Sequence, residues 1–178
     1  MRLFVCATIL VAGATLAIPA HAQRSIHFGV AAGASVPVGV LDSRVGAGAT
    51  GLAMVSMGPQ DAPMGLRLDY QYSEFKGKSS SGTTAGDMHL NSATANLIVP
   101  FRAGYAKPYL IGGFGYYPLR LPGAAKREND WGSNGGAGIS FGLPFAETGA
   151  FLEVRYHAIN RSNAKTYHFV PITFGVLF

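Results

Sequence analysis

Four charged residues are the most chemically distinctive positions in this sequence, because each lies between apolar neighbours. Arg67 and Asp69 lie in the segment LRLDY, and Glu153 and Arg155 lie in the segment LEVRY. Residues two apart in a β-strand point to the same face, so each segment would present one acid and one base together. If these faces line a narrow closed interior, the charges must be paired, because an isolated buried charge is very costly. We therefore predict the ion pairs Arg67–Glu153 and Asp69–Arg155.

This network of charges is compatible with two roles. In the role that we favour, the salt bridges are a structural filling that closes the interior and specifies its packing. In the other role, the pairs form a gate whose rearrangement opens a small pore. A Glu153→Gln variant that changed neither stability nor conductance would contradict both.

The remaining motifs give weaker signals. The stretch 46–51 (GAGATG) matches the glycine pattern of a dinucleotide-binding loop, but the fingerprint needs a preceding buried strand and a following helix, and neither is predicted. The histidines show no metal-ligand spacing. We therefore predict no cofactor and no metal, and we assign no catalytic residue.

The composition argues against a water-soluble domain. Charged residues make up 13% of the 178-residue chain, whereas soluble surfaces carry roughly 25–35% charged residues. After the N-terminus there is no apolar run of about 18 residues, so no transmembrane helix is predicted there. The 24 glycines, eight tyrosines and 11 phenylalanines suit a sheet with a crowded interior and aromatic rims.

The formal net charge of +5 comes from scattered basic residues. They are not interleaved with aromatic residues, so we predict no nucleic-acid partner. The simplest explanation of the positive charge is exposed loops that meet anionic lipid headgroups or phosphates.

The N-terminus has the features of a secretory signal. It begins with a basic residue, Arg2, followed by an apolar segment over 3–18. Ala20 and Ala22 supply the small residues that a signal peptidase recognises, so cleavage is predicted before Gln23.

The only cysteine, Cys6, lies within this leader. The mature chain therefore has no disulfide, and Cys6 comes too early to carry a lipid anchor. We predict a signal peptide over 1–22 and a single domain over 23–178.

Alternation with a period of two recurs along the rest of the chain and predicts eight strands. These lie near residues 26–33, 48–57, 66–73, 88–99, 108–117, 136–143, 152–157 and 170–178. The faces of the strands near 48–57 and 108–117 are left unassigned. The apolar face predicted to meet lipid, or to form its rim, contains Leu66, Leu68, Tyr70, Tyr72, Leu152, Val154, Tyr156, Ile172, Phe174 and Val176.

The predicted connections alternate in length. Short ones are expected at 58–63, 100–107 and 144–149, and longer ones at about 37–47, 74–87, 118–134 and 158–167. Short periplasmic turns and long external loops are typical of membrane barrels. The predicted fold is therefore all-β: an eight-stranded antiparallel up-and-down transmembrane β-barrel with both termini on the periplasmic side.

Alternation alone does not decide which face meets the solvent, because soluble lipocalin-type barrels have the same period with the apolar face inward. The polar faces here contain glycine, serine, threonine and few charges, which is a poor water-exposed surface but a good filling for a narrow lumen. The apolar faces end in aromatics at Tyr72, Tyr156 and Phe178, as expected at a lipid interface. We therefore favour the membrane barrel.

The closing segment HFVPITFGVLF resembles the terminal strand of outer-membrane barrels, which alternates apolar residues and ends in phenylalanine, here Phe178. The segments RLDYQYSEF, KPYLIGGFGYY and LEVRYHAIN are similar to strands of the small outer-membrane β-barrel family that includes OmpA-like and opacity-type proteins. The resemblance covers nearly all of 25–178. It implies a place in the bacterial outer membrane, contact with outer-membrane lipids and lipopolysaccharide, and recognition of Phe178 by the barrel-assembly machinery.

The family is functionally diverse, so the resemblance leaves the function open. We expect a monomeric, non-enzymatic barrel with a structural or surface-interaction role through its extracellular loops. The alternative is an OmpW-like barrel that transports small solutes. A third possibility is a lipid A-modifying enzyme, because His157, Ser162 and the segment RSNA resemble elements of lipid A deacylases; in that family the His and Ser are two residues apart, whereas here they are five apart.

Overall fold

The computed structural model consists of eight long strands and one small hairpin. It describes residues 24–59, 63–80, 83–84, 86–101, 105–120, 128–142, 148–161 and 165–178. The predicted signal peptide over 1–22 lies outside these residues. The strands are β1 (Arg24–Val38), β2 (Val45–Pro59), β3 (Gly65–Gly77), β4 (Ser79–Ser80), β5 (Thr83–Thr84), β6 (Met88–Pro100), β7 (Ala106–Arg120), β8 (Glu128–Gly142), β9 (Gly149–Asn160) and β10 (Tyr167–Leu177).

The eight long strands close into one antiparallel barrel in the order β1-β10-β9-β8-β7-β6-β3-β2. The seam is the β1–β10 pair, where Phe28 and Phe178 exchange backbone hydrogen bonds of 2.8 and 2.9 Å. Closure leaves no long strand with an unpaired edge. The predicted eight-stranded up-and-down barrel is confirmed. No helix in the described part of the chain is long and apolar enough to cross a membrane.

We call the end where β1 begins and β10 ends the base, and the opposite end the tip. The connections at the tip are shorter than predicted, because the strands continue into segments that were predicted as loops. Trp131, for example, lies in β8. The tip connections are still at least as long as the connections at the base. The base connections span 60–64, 101–105 and 143–148, and those at the tip span 39–44, 78–87 (which contains β4 and β5), 121–127 and 161–166.

The predicted alternation of faces is present along the strands. In β3, Leu66 and Leu68 are exposed while Arg67 and Asp69 are buried. β10, and β9 from Phe151 onward, show the same alternation, in which exposed or half-buried residues separate the buried ones. Polar side chains therefore fill the middle of the barrel, and apolar side chains cover its outside.

The structure also assigns the faces of the two strands that the sequence left open. In β2, Leu52 and Met54 point inward, and in β7 Tyr109 and Ile111 do so. Phe114 of β7 is on the outside and is 74% exposed. Both strands thus carry large apolar residues on the inner face as well as the outer surface.

At the tip, most buried side chains of the barrel interior are apolar, although Asp130 of β8 is also buried there. On β3, Ser73 is the last buried polar residue, and the next inward residue, Phe75, belongs to this apolar interior. We call this interior the apolar cap. It comprises Leu41, Val45, Phe75, Met88, Leu90, Tyr117, Leu119, Ile159, Tyr167 and Phe169.

Candidate functional site

The candidate site is the middle of the lumen, where two strands present charged residues. β3 supplies Arg67 and Asp69, and β9 supplies Glu153 and Arg155; all four are at most 5% exposed. We call these four residues the ionic layer. The two strands run in the same direction on different sides of the barrel, so equal steps along them keep facing residues at matching heights.

The structure brings together both of the ion pairs proposed from the sequence. Arg67 Nη2 lies 2.7 Å from Glu153 Oε1, and Arg155 Nη1 lies 2.8 Å from Asp69 Oδ2. Two further bridges link neighbours on the same strand: Arg67 Nε to Asp69 Oδ1 and Arg155 Nε to Glu153 Oε1, each at 2.8 Å. The four residues therefore form a closed ring of alternating charge with zero net charge.

Neutral side chains complete the hydrogen bonding of the two carboxylates. Tyr109 Oη donates to Glu153 Oε2 at 2.7 Å, and Asn96 Nδ2 donates to Asp69 Oδ2 at 2.8 Å. Asn134 Nδ2 in turn donates to Asn96 Oδ1 at 2.8 Å. Every carboxylate oxygen of the ring thus accepts at least one hydrogen bond, as a buried ionic network requires.

Sequence reasoning missed these three neutral partners. Asn96 lies on β6 and Tyr109 on β7, and neither strand shows a clean polar face in the sequence. Asn134 lies on β8, in a segment predicted as a loop. The available signal was that a buried ionic pair needs further donors, which makes inward Asn and Tyr residues at the same height natural candidates.

Apolar side chains border the ionic layer on its base side. Phe151 precedes Glu153 by two residues on β9, and the guanidinium carbon of Arg67 lies 6.0 Å from the centre of its ring. Leu52 and Met54 pack with Phe151 in a small cluster. A cavity of about 130 Å³ near the base is lined in part by Met54, Phe151 and Arg67, so it adjoins the ionic layer.

On the tip side, the lumen is closed by the apolar cap. Phe75 and Phe169 meet edge to face with ring centres 5.8 Å apart. Leu41, from the turn 39–44, is only 1% exposed and lies within the cap. Lys78 Nζ donates to Asp42 Oδ1 at 2.8 Å, so a surface ion pair ties this turn to the segment that follows β3.

The outer surface carries the residues predicted to meet lipid. All ten of these residues are between 37% and 59% exposed. Tyr72 shares a 2.8 Å hydrogen bond with His89, and Tyr156 stacks on His168 with ring centres 5.4 Å apart. Phe178, the predicted assembly signal, is 54% exposed. The aromatic rim predicted from Tyr72 and Tyr156 thus includes two histidines that the sequence analysis did not select.

His157, which the sequence analysis compared with an element of lipid A deacylases, does not lie on the barrel surface. It is completely buried in the lumen, shares a hydrogen bond of 2.9 Å with Tyr117 Oη, and stacks on Phe169. Ser162 lies outside the described residues. No group of three or more His, Cys, Asp or Glu side chains in the described chain is arranged to hold a metal ion.

A closed antiparallel barrel with an apolar outer belt and a charged, hydrogen-bonded interior is a membrane-spanning β-barrel. The model of the outer membrane protein beta-barrel domain matches residues 8–178, and the chain belongs to this family. Membership assigns the chain to the bacterial outer membrane. No curated protein matches the sequence significantly.

Two solved structures illustrate the shared fold. Neisserial surface protein A is similar over 86% of this chain and 97% of its own, with 16% identity and a TM-score of 0.60. Ail, the attachment invasion locus protein of Yersinia pestis, solved in complex with the heparin analogue sucrose octasulfate, is similar over 87% of this chain and 97% of its own, with 17% identity and a TM-score of 0.50. At these identities the likeness concerns the barrel fold.

Proposed function

We propose that this protein is a closed, non-enzymatic outer-membrane barrel that acts at the cell surface through its tip. The observation that carries the proposal is the filling of the lumen, in which the ionic layer is followed by the apolar cap. A passage for polar solutes needs a continuous polar lining, and ten buried apolar residues interrupt it. The cavity near Arg67 supports a vestibule at the base rather than a channel.

Planar-bilayer recording of the purified, folded protein tests this closure. We expect no stable conductance steps, because a solute would have to break the ionic ring and displace the cap. The Glu153→Gln variant distinguishes the two roles of the ring: a structural filling predicts lower stability without conductance, whereas a gate predicts channel opening. Regular steps from the unaltered protein would favour the small-solute transport alternative instead.

The charge distribution supports a partner at the tip. The segments 39–44, 74–87, 120–130 and 161–165 contain eight basic and five acidic residues, a net charge of +3. We propose that the tip faces outward and contacts phosphate or sulfate groups, such as those of lipopolysaccharide. Ail, which has the same fold, was solved with a polysulfated sugar.

Binding of sucrose octasulfate, measured by calorimetry in detergent at low and high salt, tests the anionic partner. Arg44 and Lys165 are exposed at the tip, whereas Lys107 is exposed near the base. We expect the double variant Arg44→Gln/Lys165→Gln to weaken binding several-fold, because phosphate and sulfate recognition depends on nearby positive charge. The matched control Lys107→Gln should bind normally; equal loss in both variants would contradict recognition by the tip.

The proposal also includes export and assembly. We propose that residues 1–22 are removed, that Phe178 takes part in recognition by the barrel-assembly machinery, and that the folded barrel is a monomer. N-terminal sequencing of protein from outer-membrane extracts should begin at Gln23. Incubation with lipopolysaccharide followed by mass analysis should release no acyl chains; released chains would instead support the lipid A-modifying alternative.

A further inference from the structure

The ion pairs between β3 and β9 define a ladder across the lumen. Its first rung joins Arg67 to Glu153, and its second joins Asp69 to Arg155. Both strands run in the same direction, so the same step of two residues leads to a third pair of facing inward positions. That pair is Gln71 and His157, which are 2% and 0% exposed. The third rung is therefore buried and carries no carboxylate.

Three polar atoms around this rung have no hydrogen-bond partner among the described residues. They are Gln71 Oε1, His157 Nε2 and Asn134 Oδ1. Asn134 is the register partner of His157 on the neighbouring strand β8, and it is 7% exposed. Buried polar groups are nearly always hydrogen-bonded, so three unpartnered atoms associated with one layer point to a ligand.

The other polar atoms of Gln71 and His157 already form hydrogen bonds, and this determines which donors and acceptors a ligand must have. Gln71 Nε2 donates to Ser73 Oγ at 3.0 Å, and His157 Nδ1 shares a hydrogen bond with Tyr117 Oη at 2.9 Å. In a neutral imidazole that accepts at Nδ1, Nε2 carries the proton and donates. With Tyr117 Oη as the donor to Nδ1, the rung presents one donor, His157 Nε2–H, and two carbonyl acceptors.

Side-chain length explains why this rung does not close directly. Each lower rung includes an arginine, the longest of the charged side chains, which reaches across to a carboxylate. Gln71 and His157 are both shorter, so together they span less of the same lumen. Two buried polar groups on facing positions that make no direct hydrogen bond are the situation in which a bridging molecule is expected.

We infer that the third rung binds one water molecule. This water accepts from His157 Nε2–H and donates to Gln71 Oε1 and Asn134 Oδ1, which gives it the number of partners typical of buried water. A cation is disfavoured because Arg155 is the adjacent inward residue on β9, and an anion is disfavoured by the two carbonyl oxygens. With the apolar cap on one side and the ionic layer on the other, this water exchanges slowly with bulk solvent.

Solution NMR of the full chain in detergent micelles tests the inference. We expect a cross-relaxation signal between a long-lived water and the His157 ring protons of the unaltered protein. In Gln71→Met, which keeps the length but removes the carbonyl, the signal should be lost. The matched control is Thr173→Val, a near-isosteric change at a buried lumen position on β10, which should retain it.

A double-mutant cycle and a crystal structure make the test decisive if Gln71→Met folds poorly. Changes at Gln71 and His157 should be non-additive by about tenfold in the unfolding equilibrium constant, because they share one bridging partner. An atomic-resolution map should place a water within hydrogen-bond distance of at least two of the three atoms. A folded, unaltered protein with no water signal, or a direct bond between Gln71 Oε1 and His157 Nε2, would overturn the inference.

Discussion

The ionic layer and the apolar cap occupy one lumen on the same strands, only a few residues apart, yet their polarity is opposite. On β3, the inward residues change from Arg67 and Asp69 to Phe75, while the outward residues change from Leu66 to Lys76. On β3, the polarity of the inner and outer faces therefore changes over the same few residues. Along this strand, the filling of the lumen changes from charged to apolar where the outer surface changes from apolar to polar.

The inversion also marks a level on the barrel. Tyr72 and Tyr156 are the last large apolar residues on the outer faces of β3 and β9 before polar residues begin. Each of these rings stacks on a histidine, as amphipathic rings do at a lipid headgroup interface. If the tip faces outward, as proposed, we expect the membrane boundary at these tyrosines and the apolar cap beyond it.

Of the variants considered, the one that removes a charge from the ionic layer should destabilise the barrel most. Glu153→Gln removes one charge and leaves Arg67 and Arg155 with a single carboxylate between them, so we expect a loss of about 3–5 kcal/mol in the free energy of unfolding. Urea unfolding in micelles measures it. The matched change Glu74→Gln, at a surface ion pair with Lys76, should cost no more than about 1 kcal/mol; similar losses from both variants would contradict the special status of the ring.

A second test compares alanine substitutions at two leucines of β6. Leu90 is 2% exposed in the cap, whereas Leu97 is 55% exposed on the lipid-facing surface. Leu90→Ala should cost about 2–4 kcal/mol through lost burial and a cavity. Leu97→Ala should cost less than about 1 kcal/mol, because hydrocarbon fills the space. The free energies of unfolding of both variants are measured in lipid nanodiscs. Equal losses from Leu90→Ala and Leu97→Ala would show that the cap is not a packed core.

Arginine substitutions on the outer surface test where the membrane boundary lies. Leu68→Arg exposes a guanidinium to hydrocarbon and should destabilise the barrel by about 2–3 kcal/mol. Asn129→Arg, at an exposed position of β8 close to the tip, should change stability by less than about 0.5 kcal/mol. Refolding into liposomes compares the two; a large penalty at position 129 would move the membrane boundary toward the tip.

The smallest effect lies in the water-exposed region. The backbone N–H of Gly77 and the ammonium of Lys76, which both donate to Asp87, hold the pKa of its carboxyl below the ordinary value of 3.8. A depressed pKa means that these contacts contribute at neutral pH and are lost as the pH falls through the lowered value. In an NMR titration, we expect the Gly77 amide resonance to shift with a midpoint below pH 3.8 as Asp87 is protonated. The Asp87→Asn variant should show no such shift, and a midpoint at or above 3.8 would contradict the prediction.

The strands that were predicted best are those in which apolar and polar residues alternate most strictly. The stretches 66–73 and 152–157 alternate cleanly, which indicated both the strands and the pairing of Arg67 with Glu153. The faces of β2 and β7 were not predictable, because Leu52 points inward beside the outward Ala53, and hydropathy does not separate two such faces.

The cap was missed for a related reason. Phe169 and Tyr167 alternate with outward residues of a segment that was partly assigned to a loop, so their shared inward face was not recognised. The neutral partners of the ionic layer depend on the register between paired strands, such as β3 and β6, where Asn96 contacts Asp69. A single sequence carries no direct signal for that register.

The turn over the tip has a consequence for grafting foreign peptides onto the cell surface. Its buried residue, Leu41, lies inside the cap, and Lys78 forms an ion pair with Asp42 on the outside of the turn. We expect an epitope inserted between Leu41 and Asp42 to displace Leu41 from the cap and open this end of the barrel. Lys165 is exposed and is not part of the cap, so we expect an insertion at this position to disturb the cap less.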